Sequence, residues 1–245
     1  MGVRVPPGTQ LWFFSMTRSR QELDVIVVNI ELTLGSIIQG VALYFLTENT
    51  RTVLAEETWI TLLYAFAGLF VIFIFWSRSI IHTLTLIKWP LEFGHNFFYI
   101  GCAFGEAILF TRLDRPLAWF CLSTIYAGIV WLLFLFDMRL IRARLDEAKT
   151  DATRALYVFA KADQWLNISV LVPLLFFFNL ACAVLIYHWP EFFIGAGAHA
   201  WLIGAQLFSF LVYLVYVTRF FRRVAPLVLR SHESVSANEM PPVSR

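Results

Sequence analysis

Charge is what this chain has least of. Asp, Glu, Lys and Arg make up only 15% of its 245 residues, against about 25% in soluble domains. A surface dressed mainly for water is excluded by that shortage. Cysteine is also sparse, and Cys102, Cys121 and Cys182 show no CxxC spacing. A zinc knuckle or disulfide framework is therefore not expected, and all three, set inside apolar runs, read as small packing residues. GxSxG, phosphate-loop and HExxH motifs are lacking, so no catalytic residue of a familiar hydrolase, nucleotide or metalloprotease kind stands out. A net charge of only +2 gives no reason to expect nucleic acid as a partner. The only early apolar run, Leu11 to Phe14, follows Pro6, Pro7 and Gly8, so neither a cleavable signal peptide nor, lacking the Ser or Thr after Gly2, a myristoylation site is expected.

What the chain has in excess is hydrophobic residues, 59% of the total, gathered in blocks of about 20, the length that spans a hydrocarbon core as helix. Four blocks carry no formal charge: Thr58 to Trp76, Leu117 to Phe136, Leu166 to Tyr187 and Ala200 to Thr218. Two more are long enough but contain acids, Glu31 in Val25 to Leu46 and Glu92 with Glu106 in Leu91 to Thr111. The expectation is an all-α polytopic membrane protein with six transmembrane helices over 25–46, 58–81, 91–111, 117–137, 166–187 and 200–219. Residues 1–24 and a disordered tail over 222–245, with Pro241 and Pro242, flank them. With this arrangement 16 of the 19 Lys and Arg fall on one side and only Arg51, Arg112 and Arg115 on the other, which puts both termini in the cytoplasm of a cell whose inner membrane holds the chain. Trp59, Trp189 and Trp201 at the outer ends and Trp76, Trp89 and Trp165 at the inner ends fit an interfacial aromatic belt.

The one sizeable connection, 138–164, repeats Ile141, Leu145, Ala148, Ala152 and Phe159 at near-helical spacing among charged residues. It predicts a cytoplasmic amphipathic helix continuing from the fourth span, packed on the bundle or at the lipid surface, or else a docking face for a membrane-complex partner or a second copy. Gly101 and Gly105 form a GxxxG on the third span that allows close helix approach, more often within a chain than between chains. Pro173 removes an amide and predicts a kink in the fifth span.

Polar side chains inside the spans are the strongest functional pointers, because charge in hydrocarbon is tolerated mainly where it faces protein or water. Glu92, His95, Tyr99, Cys102 and Glu106 share one face of the third helix, with Asn96 beside them. Laid antiparallel, the helices bring Gln39, Glu106, Asn179 and Gln206 to one level. That level is either a polar constriction or interhelical hydrogen bonding worth about 0.6 kcal/mol per pair. At the cytoplasmic mouth Asp24, Arg78 and His82 are placed to pair with Glu92 or Glu31, as an ion-pair cluster or a gate. A di-iron site needs two Glu-x-x-His pairs and the chain has only Glu92 and His95, so no metal and no cofactor is expected. Passage of a cation or proton along the first and third helices, with Glu31 the most consequential side chain, and a non-transporting accessory or scaffold subunit are the two functional readings.

Arg18 ahead of Asp24, and the aromatic run from Tyr64 through Trp76 to His82, resemble features of the bacterial branch of the endolysosomal potassium-channel family, six-helix proteins of similar length. The resemblance covers about the first 110 residues, and the family's Phe-Ser-Asp signature reads Glu22-Leu23-Asp24 here. It implies a pore lined by the first helix, with Ile30, Leu34 and Ile37 as constriction residues.

The topology predicts that a reporter active only outside the cytoplasm stays silent on either terminus. Signal from either tag in cells would overturn it.

Overall fold

A computed structural model describes residues 33, 35–52, 54, 59–81 and 93–239. Asp24, Ile30, Glu31, Leu34, His82 and Glu92, and the side chains of His95 and Asn96, lie outside the described residues.

Among the described residues every element is helical. Helix α1 occupies 35–52, followed by α2 (Trp59–Ile81), α3 (Phe93–Phe110), α4 (Pro116–Asp146), α5 (Asp151–Leu166), a π turn (Asn167–Leu171), α6 (Val172–His188), a second π turn (Glu191–Gly195) and α7 (His199–Glu239). Four stretches are long and apolar enough to cross a membrane: Trp59–Ser79, Pro116–Asp146, Asp151–His188 and His199–Ser231. Phe97–Phe110 in α3 is apolar but shorter. The outer faces of these helices are hydrophobic, with Leu132, Leu135, Phe177, Phe208, Leu211 and Val215 all exposed, far beyond the scattered apolar residues of a soluble surface. This is a membrane-embedded protein. The tryptophans Trp59, Trp76, Trp165, Trp189 and Trp201 also point outward, as residues facing the lipid interface do.

Helix α4 is the spine, packing on α3, α5 and α6, while α2 packs on α7. The main core runs through Tyr64, Val71, Phe75, Phe110, Trp119, Phe120, Leu133, Cys182, Ile186 and Ile203. On α3 the GxxxG face packs within the chain: a Cβ on Gly105 would stand 3.3 Å from Tyr126, and one on Gly101 3.7 Å from Ile129. Of the cysteines, Cys102 and Cys182 are buried as expected, whereas Cys121 faces outward.

Two features differ from the sequence expectation, and one concerns the surroundings of Pro173. Residues 138–164 are not one helix. Helix α4 runs on to Asp146, about 46 Å in all at 1.5 Å per residue, and the chain then reverses and restarts at Asp151. The restart is local chemistry: the Thr150 hydroxyl accepts the Thr153 amide at 3.2 Å, an N-cap, with Asp151 in the first turn where the helix dipole favours an acid. Next, Pro173 acts through a wide turn upstream of it. The Val172 amide donates to the Asn167 carbonyl, five residues back, so that α5 and α6 stay continuous through a π turn. Last, the chain from 222 to 239 is helical, part of α7. Val224, Leu227 and Val228 recur on one face and pack with Val217 and Phe220 against Ile141, Leu156 and Ala160 in a second core at the basic end. Hydroxyl pairs Thr150–Ser234 and Thr153–Ser231, at 3.0 and 2.9 Å, close the same seam.

This second core predicts that Leu156→Ala loosens the end of α7, lowering stability by about 2 to 3 kcal/mol. Faster proteolysis near 222–239 in the purified variant is the expected readout, and unchanged cleavage would show that the seam does not hold the helix.

Candidate functional site

Three polar centres interrupt the apolar interior, and α4 contributes to each. The first lies at the basic end. Arg78, in the last turn of α2, donates from Nη2 to Asp163 Oδ2 of α5 at 2.8 Å, with both side chains 4% exposed. Tyr216 of α7 donates to Asp163 Oδ1, and Asn167 Nδ2 approaches Oδ2 at 3.3 Å while bonding the Asp163 carbonyl at 2.8 Å. Tyr213 donates to Asn167 Oδ1 at 2.7 Å. The π turn begins at Asn167 and presents that amide to both partners. Phe134 and Phe220 rings lie 5.6 and 5.2 Å from the guanidinium carbon, adding cation–π attraction on a desolvated cation. Gln164, wholly buried, donates to the Phe134 carbonyl at 2.8 Å. Asp137 of α4 is also buried.

The carboxylate is thus fully engaged, whereas the guanidinium is not: Arg78 Nε and Nη1 have no hydrogen-bond partner among the described residues. Both belong to a side chain that lines a cavity of about 500 Å³. Arg78, Ser79, Asp137, Tyr213 and Tyr216 give it one polar end, and Val71, Ile74, Phe75, Val130, Leu175 and Phe178 form much of its apolar body. Leu174 of α6 and Phe208 and Val212 of α7 stand at its rim and are exposed. Its mouth therefore opens through the side of the bundle, between α6 and α7, where lipid would lie.

The second and third centres answer the predicted polar level. Gln206 accepts from the Trp119 indole at 2.9 Å and donates to Asn179 Oδ1 at 2.6 Å, and Asn179 donates to the Leu175 carbonyl at 2.7 Å. Glu106 Oε1 accepts from the Tyr126 hydroxyl at 2.8 Å, with Gln39 buried on α1. Of the four residues expected at one level, a hydrogen bond links Asn179 with Gln206, while Glu106, bound to Tyr126, also has Gln39 beside it. On α3, Cys102 and Glu106 are buried and Tyr99 half-buried, so the described part of that polar face does turn inward. Ile37 is exposed on α1.

Of the expected mouth cluster only Arg78 lies within the described residues, and it is met by Asp163, which the sequence reading did not single out. Asp137, Asn167, Trp119, Tyr126, Tyr213 and Tyr216 were not singled out either. A signal did exist for some of them: Asp163 and Asn167 are spaced i, i+4, and Tyr213 and Tyr216 i, i+3, one face in each case. Among the described residues no cluster of His, Cys, Asp and Glu is arranged to hold a metal. Comparison with family models, curated proteins and solved structures finds no match to this chain.

Breaking a buried ion pair strands one charge, at about 3 to 5 kcal/mol, whereas replacing both partners by apolar residues is often neutral. Arg78→Met should therefore lower thermal stability in detergent by more than the double variant Arg78→Met/Asp163→Leu. Additive losses in that cycle would refute the coupling.

Proposed function

We propose that this protein is a multi-pass membrane protein that takes up a lipophilic small molecule from the bilayer into the cavity between α2, α3, α4, α6 and α7. The supporting observation is the cavity's form. Its size falls in the range of about 300 to 1,000 Å³ typical of ligand sites, its walls are mostly apolar, with Tyr99, Tyr126 and Ser209 the polar residues away from the Arg78 end, and its rim is made of outward-facing Leu174, Phe208 and Val212. A water-filled ion path would be expected to open toward solvent, with polar groups along its length. In this reading α1 and α3 complete six spans, and the basic end faces the cytoplasm.

Passage of a small cation or proton is the second reading. Buried Asp137 at the cavity wall and Glu106 on α3 favour it, since acids within a bundle often mark ion paths. Helix one as the pore lining, as the potassium-channel resemblance implies, belongs to this reading. A non-transporting accessory subunit is the remaining class.

Filling the cavity separates these. With Val130→Phe and Leu175→Phe combined, saturable binding of a fluorescent lipophile to the full chain in nanodiscs should weaken by about tenfold or more, equivalent to about 1.4 kcal/mol. Cation or proton flux in proteoliposomes, insensitive to these substitutions and to the lipophile, would instead support ion passage. Neither binding nor flux would leave the accessory role.

A further inference from the structure

We infer that the cavity selects a neutral lipophile bearing a hydrogen-bond acceptor, a carbonyl above all, and that Arg78 is the residue that reads it. The inference rests on the cavity reading given above and adds the chemistry of the occupant's head.

Three observations lead there. First, Arg78 has two donor nitrogens, Nε and Nη1, whose N–H groups no group of the described protein accepts, in a side chain only 3% exposed that lines the polar end of the cavity. A guanidinium has five donors in a fixed fork and accepts nothing, so only an acceptor can complete this site. The neighbouring hydroxyls do not compete for the role of donor, because Tyr213 gives its proton to Asn167 and Tyr216 to Asp163.

Second, the charge of Arg78 is already balanced by Asp163 at 2.8 Å. An anionic head would bring an uncompensated negative charge into a low-dielectric site, a cost that grows steeply with burial. Asp137, buried in the same wall, carries the same sign and opposes an anion further. A cationic head would be drawn to Asp137 but would meet the guanidinium at the same end, and an amine displacing best would overturn the inference in favour of a cation site. The head that gains from two free donors without upsetting this balance is a neutral acceptor such as a ketone, ester or quinone carbonyl.

Third, away from the polar end the cavity is largely hydrocarbon, its remaining polar lining being Tyr99, Tyr126, whose hydroxyl donates to Glu106, and Ser209, whose hydroxyl donates to the Ala205 carbonyl. Val71, Ile74, Phe75, Leu133, Leu175 and Phe178 surround the body, which fits an aliphatic or isoprenoid tail lying along the bundle and reaching the membrane through the gap between α6 and α7.

The test is displacement of the fluorescent lipophile from the full chain in nanodiscs by probes of equal chain length added at equal mole fraction: an alkane, a methyl ketone, a methyl ester, a benzoquinone with an alkyl tail, a carboxylate and an amine. The ketone, ester or quinone should displace about tenfold better than the alkane, the gain expected of a hydrogen bond to a charged donor. The ranking among those three identifies the source of the carbonyl. The carboxylate and amine should fall below all of them. Arg78→Met/Asp163→Leu, which removes every donor without stranding a charge, should erase the carbonyl advantage while alkane displacement stays as in the wild type, and Arg78→Lys, which trades the fork for an ammonium, should reduce that advantage. Should either variant fail to fold, the other carries the test.

Equal displacement by alkane and carbonyl probes would overturn the inference while leaving the cavity reading in place. Carboxylate displacing best would overturn it in favour of an anion site. If no probe displaces the fluorophore and cavity filling leaves its binding unchanged, the cavity reading falls and the inference with it.

Discussion

An ion pair in a membrane bundle governs much of this structure. Arg78 and Asp163 are each taken out of water, and such a pair holds only if the geometry is close and the remaining lone pairs and protons are satisfied. The surrounding architecture meets the carboxylate's side of that requirement. Asp163 must sit beside the end of α2, so α5 must return along α4 after its turn at 147–150. Asn167 must face Asp163 and Tyr213 together, and the π turn presents it that way. Tyr216 must reach in from α7, which ties the long last helix to the bundle. Three segments distant in sequence are fixed by one carboxylate.

With lipid as the outer solvent, apolar packing alone does little to choose between helix arrangements, since lipid tails are as apolar as leucine. Specific hydrogen bonds then carry much of the choice. They are distributed along α4: the Trp119 indole holds Gln206, Tyr126 holds Glu106, and the Phe134 carbonyl holds Gln164. Positions 119, 126 and 134 are spaced by about two turns each, so they form an inward stripe on one helix. At the basic end, α4, α5 and α7 pack around Ile141, Leu156 and Val224.

Much of this was legible in the sequence because hydrophobic run length is a strong signal. The four uncharged blocks coincide with the four long apolar helices, and the inward face of α3 followed from the spacing of Tyr99, Cys102 and Glu106. The restart of α5 was less visible, since the chain reverses at Glu147-Ala148-Lys149-Thr150 with neither glycine nor proline. The cue was the weaker one of Thr150 followed by Asp151. Position along a helix does not reveal which neighbour a side chain meets. Asn179 and Gln206 pair across α6 and α7, but the same depth estimate also put Glu106 with them, and its bond goes to a tyrosine instead. Arg78 was identified while its partner was not, because Asp163 belongs to a segment whose charge pattern resembled a solvated surface. Helicity of 222–239 was hidden by the polar composition after Ser231, although Val224, Leu227 and Val228 already marked a face.

The cavity follows from the same constraints. Hydrogen bonds tie α7 to the α5–α6 segment at two levels, Gln206 to Asn179 toward one end and Tyr213 to Asn167 toward the other. Two turns of α7 separate Gln206 from Tyr213, about 10 Å, whereas Asn167 and Asn179 are 12 positions apart along the opposing strand of helix, about 18 Å at the ordinary rise. The two helices cannot lie flush over that interval with both bridges made. The π turn and Pro173 fall within it, where the backbone is already freed from regular α geometry, and Leu174, Leu175 and Phe178 follow directly. The gap between α6 and α7 lies between the bonds that fix its ends. The ion pair that anchors one of those ends also leaves two guanidinium nitrogens at the cavity's polar end without an acceptor among the described residues.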